Sequence, residues 1–269
     1  MHIDEALDVS KIHSIMGLLP ADSPILTQRP FRAPHHTISD AGLFGGQSMP
    51  TPGELSLAHN GVLFLDELPE FKRNVLEVMR QPLENGSVTV SRASGSFVFP
   101  ARIMLIAAMN PCPCGHYGNI QRVCRCTPPQ IQRYRSKISG PLLDRIDIHV
   151  ELLPLNDDEM LKVPDSECSC EIRKRVTSAR STQLKRFENT GIYCNSQMEQ
   201  SHLQQHCSFD KESQSYLRHS IKELQLSARA YDKILRVART IADLDSSENV
   251  KQEYIFEAVQ YRTLDKRLW

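Results

Sequence analysis

Acidic residues are missing from the middle of the chain. From Asn85 to Leu143 there is neither Asp nor Glu, while Arg92, Arg102, Arg122, Arg125, Arg133, Arg135 and Lys137 all fall there. Lys plus Arg and Asp plus Glu balance at 32 each over the 269 residues, so the whole-chain charge favours no partner. The segment on its own favours phosphates, of nucleotide or nucleic acid, unless acids from elsewhere in the fold cover it. Long apolar runs are also lacking: nothing approaches the ~18 residues of a membrane-crossing helix, and the N-terminus has no leader pattern. The chain therefore reads as soluble and cytoplasmic. Absent too is any G-x-x-x-x-G-K-S/T, so the glycine- and proline-rich stretch from Asp40 to Gly53 is a flexible loop and no phosphate cradle. Eight cysteines in a cytosolic chain of enzyme size point to metal or free thiols before disulfides.

What is present is organised around Gly61-Val62-Leu63-Phe64-Leu65-Asp66-Glu67. An apolar run that ends at once in two carboxylates reads as a buried parallel strand delivering acids to a ligand crevice, a Walker B pattern. In that reading Asp66 holds the water shell of Mg²⁺ and Glu67 orients or deprotonates the attacking water. The alternative is a buried strand whose acids merely face water. Arg102 to Asn110 is a second apolar strand ending in one polar residue; beside the first it sets the Asn110 amide near Asp66 and Glu67, unless Asn110 before Pro111 is only a turn former. Ser139 to Asp147 precedes a third expected strand, Ile148 to Leu153. There Arg145 is either a guanidinium offered to phosphate or half of a surface pair with Asp144 or Asp147.

Around these strands, Met1 opens into a helix with Leu7, Ile12 and Ile15 on one face and Gly17 at its end. Phe71 to Leu83 is a further helix, and Ser87–Ser91 with Ser96–Pro100 alternate at period two as a β-hairpin. From Asn156 onward the pattern is helical: Ile172, Val176, Ala179 and Leu184 mark one helix, Leu217, Ile221 and Leu224 another, Ala230 to Ile241 a third. Val250, Tyr254 and Ala258 mark the last, with Asn249 and Gln252 placed for a capping box. The expected organisation is an α/β domain over residues 1–155 and a small all-α domain over 156–269.

Cys112-Pro113-Cys114 and Cys124-Arg125-Cys126 put four thiols within 15 residues in a segment with almost no apolar core of its own. Cys112, Cys114, Cys124 and Cys126 can surround one tetrahedral, structural Zn²⁺; free thiols or a redox pair are the alternatives. Cys168, Cys170, Cys194, His202, His206 and Cys207 read as ordinary helix positions. His35 and His36 have no acidic or cysteine partner nearby in sequence.

Three runs together, Pro30 to Ser39, Pro52 to Glu67 and Asn110 to Gly115, continued by Gly140–Asp147 and Leu226–Tyr231, resemble the magnesium-chelatase-like AAA+ ATPases of the ComM/YifB type over essentially the whole chain. The resemblance implies an AAA+ core followed by a helical lid, with Walker B at Asp66 and Glu67, sensor 1 at Asn110, an arginine finger at Arg145 and sensor 2 at Arg229. It implies ATP and Mg²⁺ as cofactors, a pre-sensor 1 insertion in the hairpin, and homohexameric rings that act on DNA in branch migration during natural transformation. Members carry a Lon-protease-like domain and a P-loop ahead of the point where this chain starts. The core is thus truncated, and the chain is expected to be a C-terminal portion that binds nucleotide weakly and turns none over without a P-loop-bearing partner. A missing first strand is expected to leave an open sheet edge beside the Walker B strand. A chelatase motor subunit for metal insertion and a non-catalytic remnant are the competing readings.

Overall fold

In the computed structural model, residues 1–20, 22–46, 50–92, 95–119, 121–153, 166–224 and 226–262 are described. The chain divides into two compact units, Met1–Arg145 and Ile146–Trp269. The boundary expected at residue 155 lies outside the described residues.

The first unit is built on a parallel sheet of order β1-β2-β5, with β1 Phe31–Arg32, β2 Val62–Leu65 and β5 Met104–Ala107. Leu63 and Leu65 are wholly buried and alternate with half-buried Val62 and Phe64, the pleat of a strand covered mainly on one face. β2 pairs on one side with β1 (Arg32↔Leu63) and on the other with β5 (Leu65↔Ala107). The acid-bearing strand is therefore the middle strand, and the expectation of an open edge beside it is corrected. Among the described residues the edges are β1 and β5; on β5 Met104 and Ile106 stay 62% and 44% exposed.

α1 (Ile3–Ile15) turns Ala6, Val9 and Ile12 inward, whereas Leu7 and Ile15 lie outside. Steps of three from Ile12 keep one helical face, and Leu7 falls off it. Polar ties fix that orientation: His13 Nε2 lies 3.1 Å from the Leu57 carbonyl, and Arg29 reaches Glu5 at 2.9 Å. Two short helices follow, α2 (Asp40–Phe44), capped by Ser39, and α3 (Glu54–Leu57). His59, after α3, accepts the N–H of Arg102 at Nδ1; burial pulls its pKa down to about 4, so it stays a neutral acceptor.

The helix expected over Phe71–Leu83 is two, α4 (Arg73–Val78) and α5 (Arg80–Asn85). Pro82 has no N–H for the carbonyl of Val78, and the ladder breaks there. Gly86, at φ +65°, closes α5 and leads into the hairpin of β3 (Ser87–Arg92) and β4 (Gly95–Pro100), paired antiparallel as expected. After β5 come α6 (Pro128–Arg135) and α7 (Gly140–Leu143).

Close approach of β1 to β2 depends on Gly61. A Cβ there would sit 2.1 Å from the Pro30 carbonyl oxygen, which accepts the N–H of Val62 at 2.8 Å. Gly61→Ala is expected to lower stability by about 1–3 kcal/mol in thermal denaturation. Gly140→Ala, where nothing lies within 4 Å, should stay within about 0.5 kcal/mol of the parent.

The second unit is helical: α8 (Ser169–Arg186), α9 (Gln200–His206), α10 (Lys211–Leu224), α11 (Ala228–Leu244) and α12 (Gln252–Gln260). α11 is its axis, with Ile234, Ala238 and Ala242 buried against Leu203, Leu217 and Ile255. At the end of α11, buried Asp243 takes Arg186 at 2.5 and 2.7 Å, Asn195 at 2.8 Å and Arg239 at 3.1 Å. Burial alone would push its carboxyl up. The bonds from Arg186 and Asn195, with the charges of Arg186 and Arg239, outweigh that and hold it below the usual range.

Four expectations are corrected in this unit. Residues 148–153 form no strand: His149 N–H bonds to the Tyr261 carbonyl, and Val150, Leu152 and Leu153 are exposed. An apolar run without a neighbour along its backbone has no ladder to join. On α8, Ala179 and Gln183 are buried while Ile172 and Val176 stay exposed. The N-cap of α12 is Lys251, two residues past Asn249, because Val250 is first drawn into the core; no capping box forms. Cys168 and Cys170, expected as ordinary positions, are joined in a disulfide.

Candidate functional site: the acid turn and the cysteine cluster

At the carboxyl end of β2 the chain leaves the sheet through a strained turn. Glu67 has φ 51° and ψ 48°, a left-handed conformation that costs a non-glycine residue about 1–3 kcal/mol. Two backbone bonds hold it there. Ala108 N–H donates to Leu65 and Leu68 N–H donates to Ala108 at 2.9 Å, so the end of β5 clamps both sides of Asp66-Glu67. Asp66 Oδ1 accepts the N–H of Glu67 at 2.8 Å, and both acids stay exposed.

Glu67 Oε2 also lies 3.2 Å from His36 Nδ1. His36 is flanked by the ring of His35 at 4.1 Å and meets the edge of Phe71 at 6.3 Å. No acidic partner is near His36 in sequence; the fold supplies one, Glu67, from 31 residues away. The β1–β2 register sets residues 31 apart in sequence side by side, and His36 and Glu67 are 31 apart. That signal exists only once the two strands are paired.

Asn110 stands three residues past β5, exposed, beside Gly115. Among the described residues no hydrogen bond joins its side chain to Asp66 or Glu67. The link is Tyr134 on α6, which sequence reasoning missed. Its phenol is pushed up first by burial and then by the charge of Glu70, with the backbone of Asn110 pulling the other way and smaller contributions from Glu67 and Cys112. Acid turn, Asn110 and cysteine cluster thus all act electrostatically on that one side chain.

Arg145 is held inward, its side chain 8% exposed. It reaches Glu84 on α5 at 2.8 Å and the carbonyls of Arg80 and Pro141 at 3.1 and 2.6 Å. Arg229 lies in the first turn of α11 in the second unit, exposed, behind the N-cap of Ser227.

The four cysteines come together as their spacing suggested. Cys112, Cys114 and Cys124 Sγ atoms are 3.5, 3.6 and 3.7 Å apart, and with Cys126 all four lie within 4.8 Å of one another. Zn–S bonds of about 2.3 Å give a tetrahedron with edges of about 3.8 Å, so the set fits a Zn²⁺. Backbone N–H groups also point at sulfur: Tyr117 donates to Cys112 at 3.3 Å, and amides of Arg125 and then His116 pull the Cys114 thiol down to about 6. Burial instead pushes Cys126 up to about 12. Gly115 and Gly118, at φ +79° and +81°, allow the tight turns that bring the pairs together. Beside the cluster is an open pocket of about 510 Å³ lined by Cys114, His116, Arg122, Val123 and Arg125.

A parallel sheet whose middle strand ends in paired acids, carrying a hairpin and followed by a helical unit, is an α/β architecture of the magnesium chelatase class. The chain belongs to that family. The family described as "Magnesium chelatase, subunit ChlI" matches residues 1–160, and "Magnesium chelatase, subunit ChlI C-terminal" matches residues 166–262. Within it the chain is ComM/YifB-like. It is 42% identical over 268 residues to the uncharacterized protein YifB of Escherichia coli (98% of this chain, 51% of that one). It is 44% identical over 242 residues to the competence protein ComM of Haemophilus influenzae (90% and 46%). The magnesium-chelatase 67 kDa subunit of Chlorobaculum parvum is 30% identical over 118 residues, 44% of this chain and 16% of that one. The chain spans about half the length of its ComM- and YifB-like relatives. Among the described residues no helix is long and apolar enough to cross a membrane.

Proposed function

We propose that this chain is the water-positioning part of an ATP-driven, ComM-like motor that acts on DNA as a homohexameric ring. The observation carrying this reading is the strained Glu67 at the end of the central parallel strand, clamped by β5 and paired to His36. Strain of this kind persists where the surroundings over-determine it, and it clusters at active sites, ligand clamps and switch regions. Asp66 holds the water shell of Mg²⁺, Glu67 orients the attacking water, and Asn110 senses the terminal phosphate. Arg145 serves in trans once released from Glu84, and Arg229 takes the sensor 2 role. Bound Mg²⁺ neutralises charge on the phosphates. The chain's own residues leave those phosphates without a cradle, and the open β5 edge is where a P-loop-bearing strand adds. A role in competence follows the name of the Haemophilus relative, and branch migration is the DNA reaction this reading assigns to the motor.

ATP turnover is the test. The chain alone is expected to hydrolyse no ATP, with or without branched DNA. Fused behind the N-terminal half of the Haemophilus relative it should hydrolyse ATP, and Glu67→Gln should lower that rate by ~10²-fold or more. Turnover by the chain alone, abolished by Glu67→Gln, would mean that another element replaces the P-loop. A fusion that binds ATP but is indifferent to Glu67→Gln would leave the non-catalytic reading, which the inward Arg145–Glu84 pair favours.

The four clustered cysteines hold a structural Zn²⁺ in this reading. Zinc there does no chemistry on substrate; it orders a segment that has little core of its own.

A further inference from the structure

The expectation that the acid-free segment stays electropositive divides among its cations. Lys137 meets Glu70 at 3.2 Å, and the Arg135 guanidinium sits 4.9 Å from the centre of the Tyr117 ring. Among the described residues Arg122 and Arg125 meet no carboxylate, and both are exposed beside the cysteine cluster. They line the 510 Å³ pocket with His116 and with Val123, which is 87% exposed. Two guanidiniums, an imidazole and one bare aliphatic group around an open hollow suit a phosphate and the sugar attached to it.

We propose that the cysteine knuckle is a DNA-strand contact, in which Arg122 and Arg125 bind backbone phosphate in this pocket and Val123 packs on the adjoining sugar. This deepens the reading of a motor acting on DNA and rests on it. The Sγ cluster fixes the ends of the loop, so the two arginines are presented on a frame tied by sulfur and not on a free strand. With both arginines on phosphate and Val123 on sugar, the contact in this proposal reads no base edge and is independent of sequence.

The test is fluorescence anisotropy of labelled single- and double-stranded DNA oligonucleotides with the zinc-loaded chain over a range of salt. Arg122→Ser with Arg125→Ser is expected to weaken binding ~10-fold or more and to flatten the plot of log affinity against log salt by about 1.4–1.8. Far-UV circular dichroism and zinc content should match the parent, since both side chains are exposed. Chain stripped of zinc should lose affinity as the double variant does. Arg218→Ser with Lys222→Ser on α10 removes the same charge elsewhere and should leave most of the affinity. Tight binding by the parent that survives the double substitution, or an equal loss in the α10 control, overturns the knuckle contact and leaves DNA as the partner. No binding by the parent at the lowest salt overturns both.

Discussion

Cys112→Ser with Cys124→Ser is expected to leave the chain without zinc and to unfold its knuckle. The parent should carry about one zinc per chain by plasma mass spectrometry, and the variant essentially none. The effect is large because, among the described residues of 112–126, Cys112 alone is buried. In small zinc modules metal binding supplies about 10–16 kcal/mol of apparent folding free energy at neutral pH. Thiol alkylation gives a second readout. With metal bound the four clustered thiols should be protected, and after chelation they should react, leaving buried Cys207 slower than the rest. The pH dependence has a fixed sign: ligands must be thiolates, so lowering the pH protonates them and releases metal. A well-folded parent with no zinc and four reactive thiols would overturn the assignment. It would also remove the frame on which Arg122 and Arg125 are presented.

Parts of the fold were legible in the sequence for a local reason. Val62–Leu65 and Met104–Ala107 are apolar runs bounded by polar residues, and the period-two pattern of Ser87–Pro100 names a hairpin; neither needs knowledge of a distant partner. The cysteine cluster is likewise local, four thiols a short loop apart. What failed was whatever depended on register or on which face finds a partner. His36 meets Glu67 only because β1 and β2 pair in parallel with one particular offset. Tyr134 is brought near only because α6 returns to the chain that follows β5, where Arg135 Nε donates to the Pro111 carbonyl. Leu7 and Ile15 look like a helical face but lie beside the true one, which His13 and Glu5 fix through polar bonds. Residues 148–153 have strand composition and no strand to pair with. The strand Val62–Leu65 was expected to lie next to an open edge; it lies in the middle, since strand order is a property of the sheet and not of any one run.

Asp243→Ala is expected to destabilise the second unit by about 3–5 kcal/mol, because it leaves Arg186 and Arg239 buried without their carboxylate. Removing one partner of a buried pair is worse than removing both, since the desolvated charge remains. Asp243→Asn should fare only somewhat better: it keeps the shape and a partner for Asn195 but not the charge. The pH dependence follows from the direction of the shift. The folded carboxyl titrates below its ordinary value of 3.8, so the pair's stabilisation is fully present above the unfolded value and is lost as the pH falls through the folded one. Urea denaturation at neutral pH and at several acid values checks both statements: the parent should weaken steeply below about pH 4, and Asp243→Asn should be weaker at neutral pH with a flatter acid limb. A loss under about 1 kcal/mol for Asp243→Ala would mean that water reaches the cluster and screens it. The helical unit would then owe its stability to the apolar face of α11 alone, and Arg186, Arg239 and Asp243 would be free to serve a purpose other than holding that unit together.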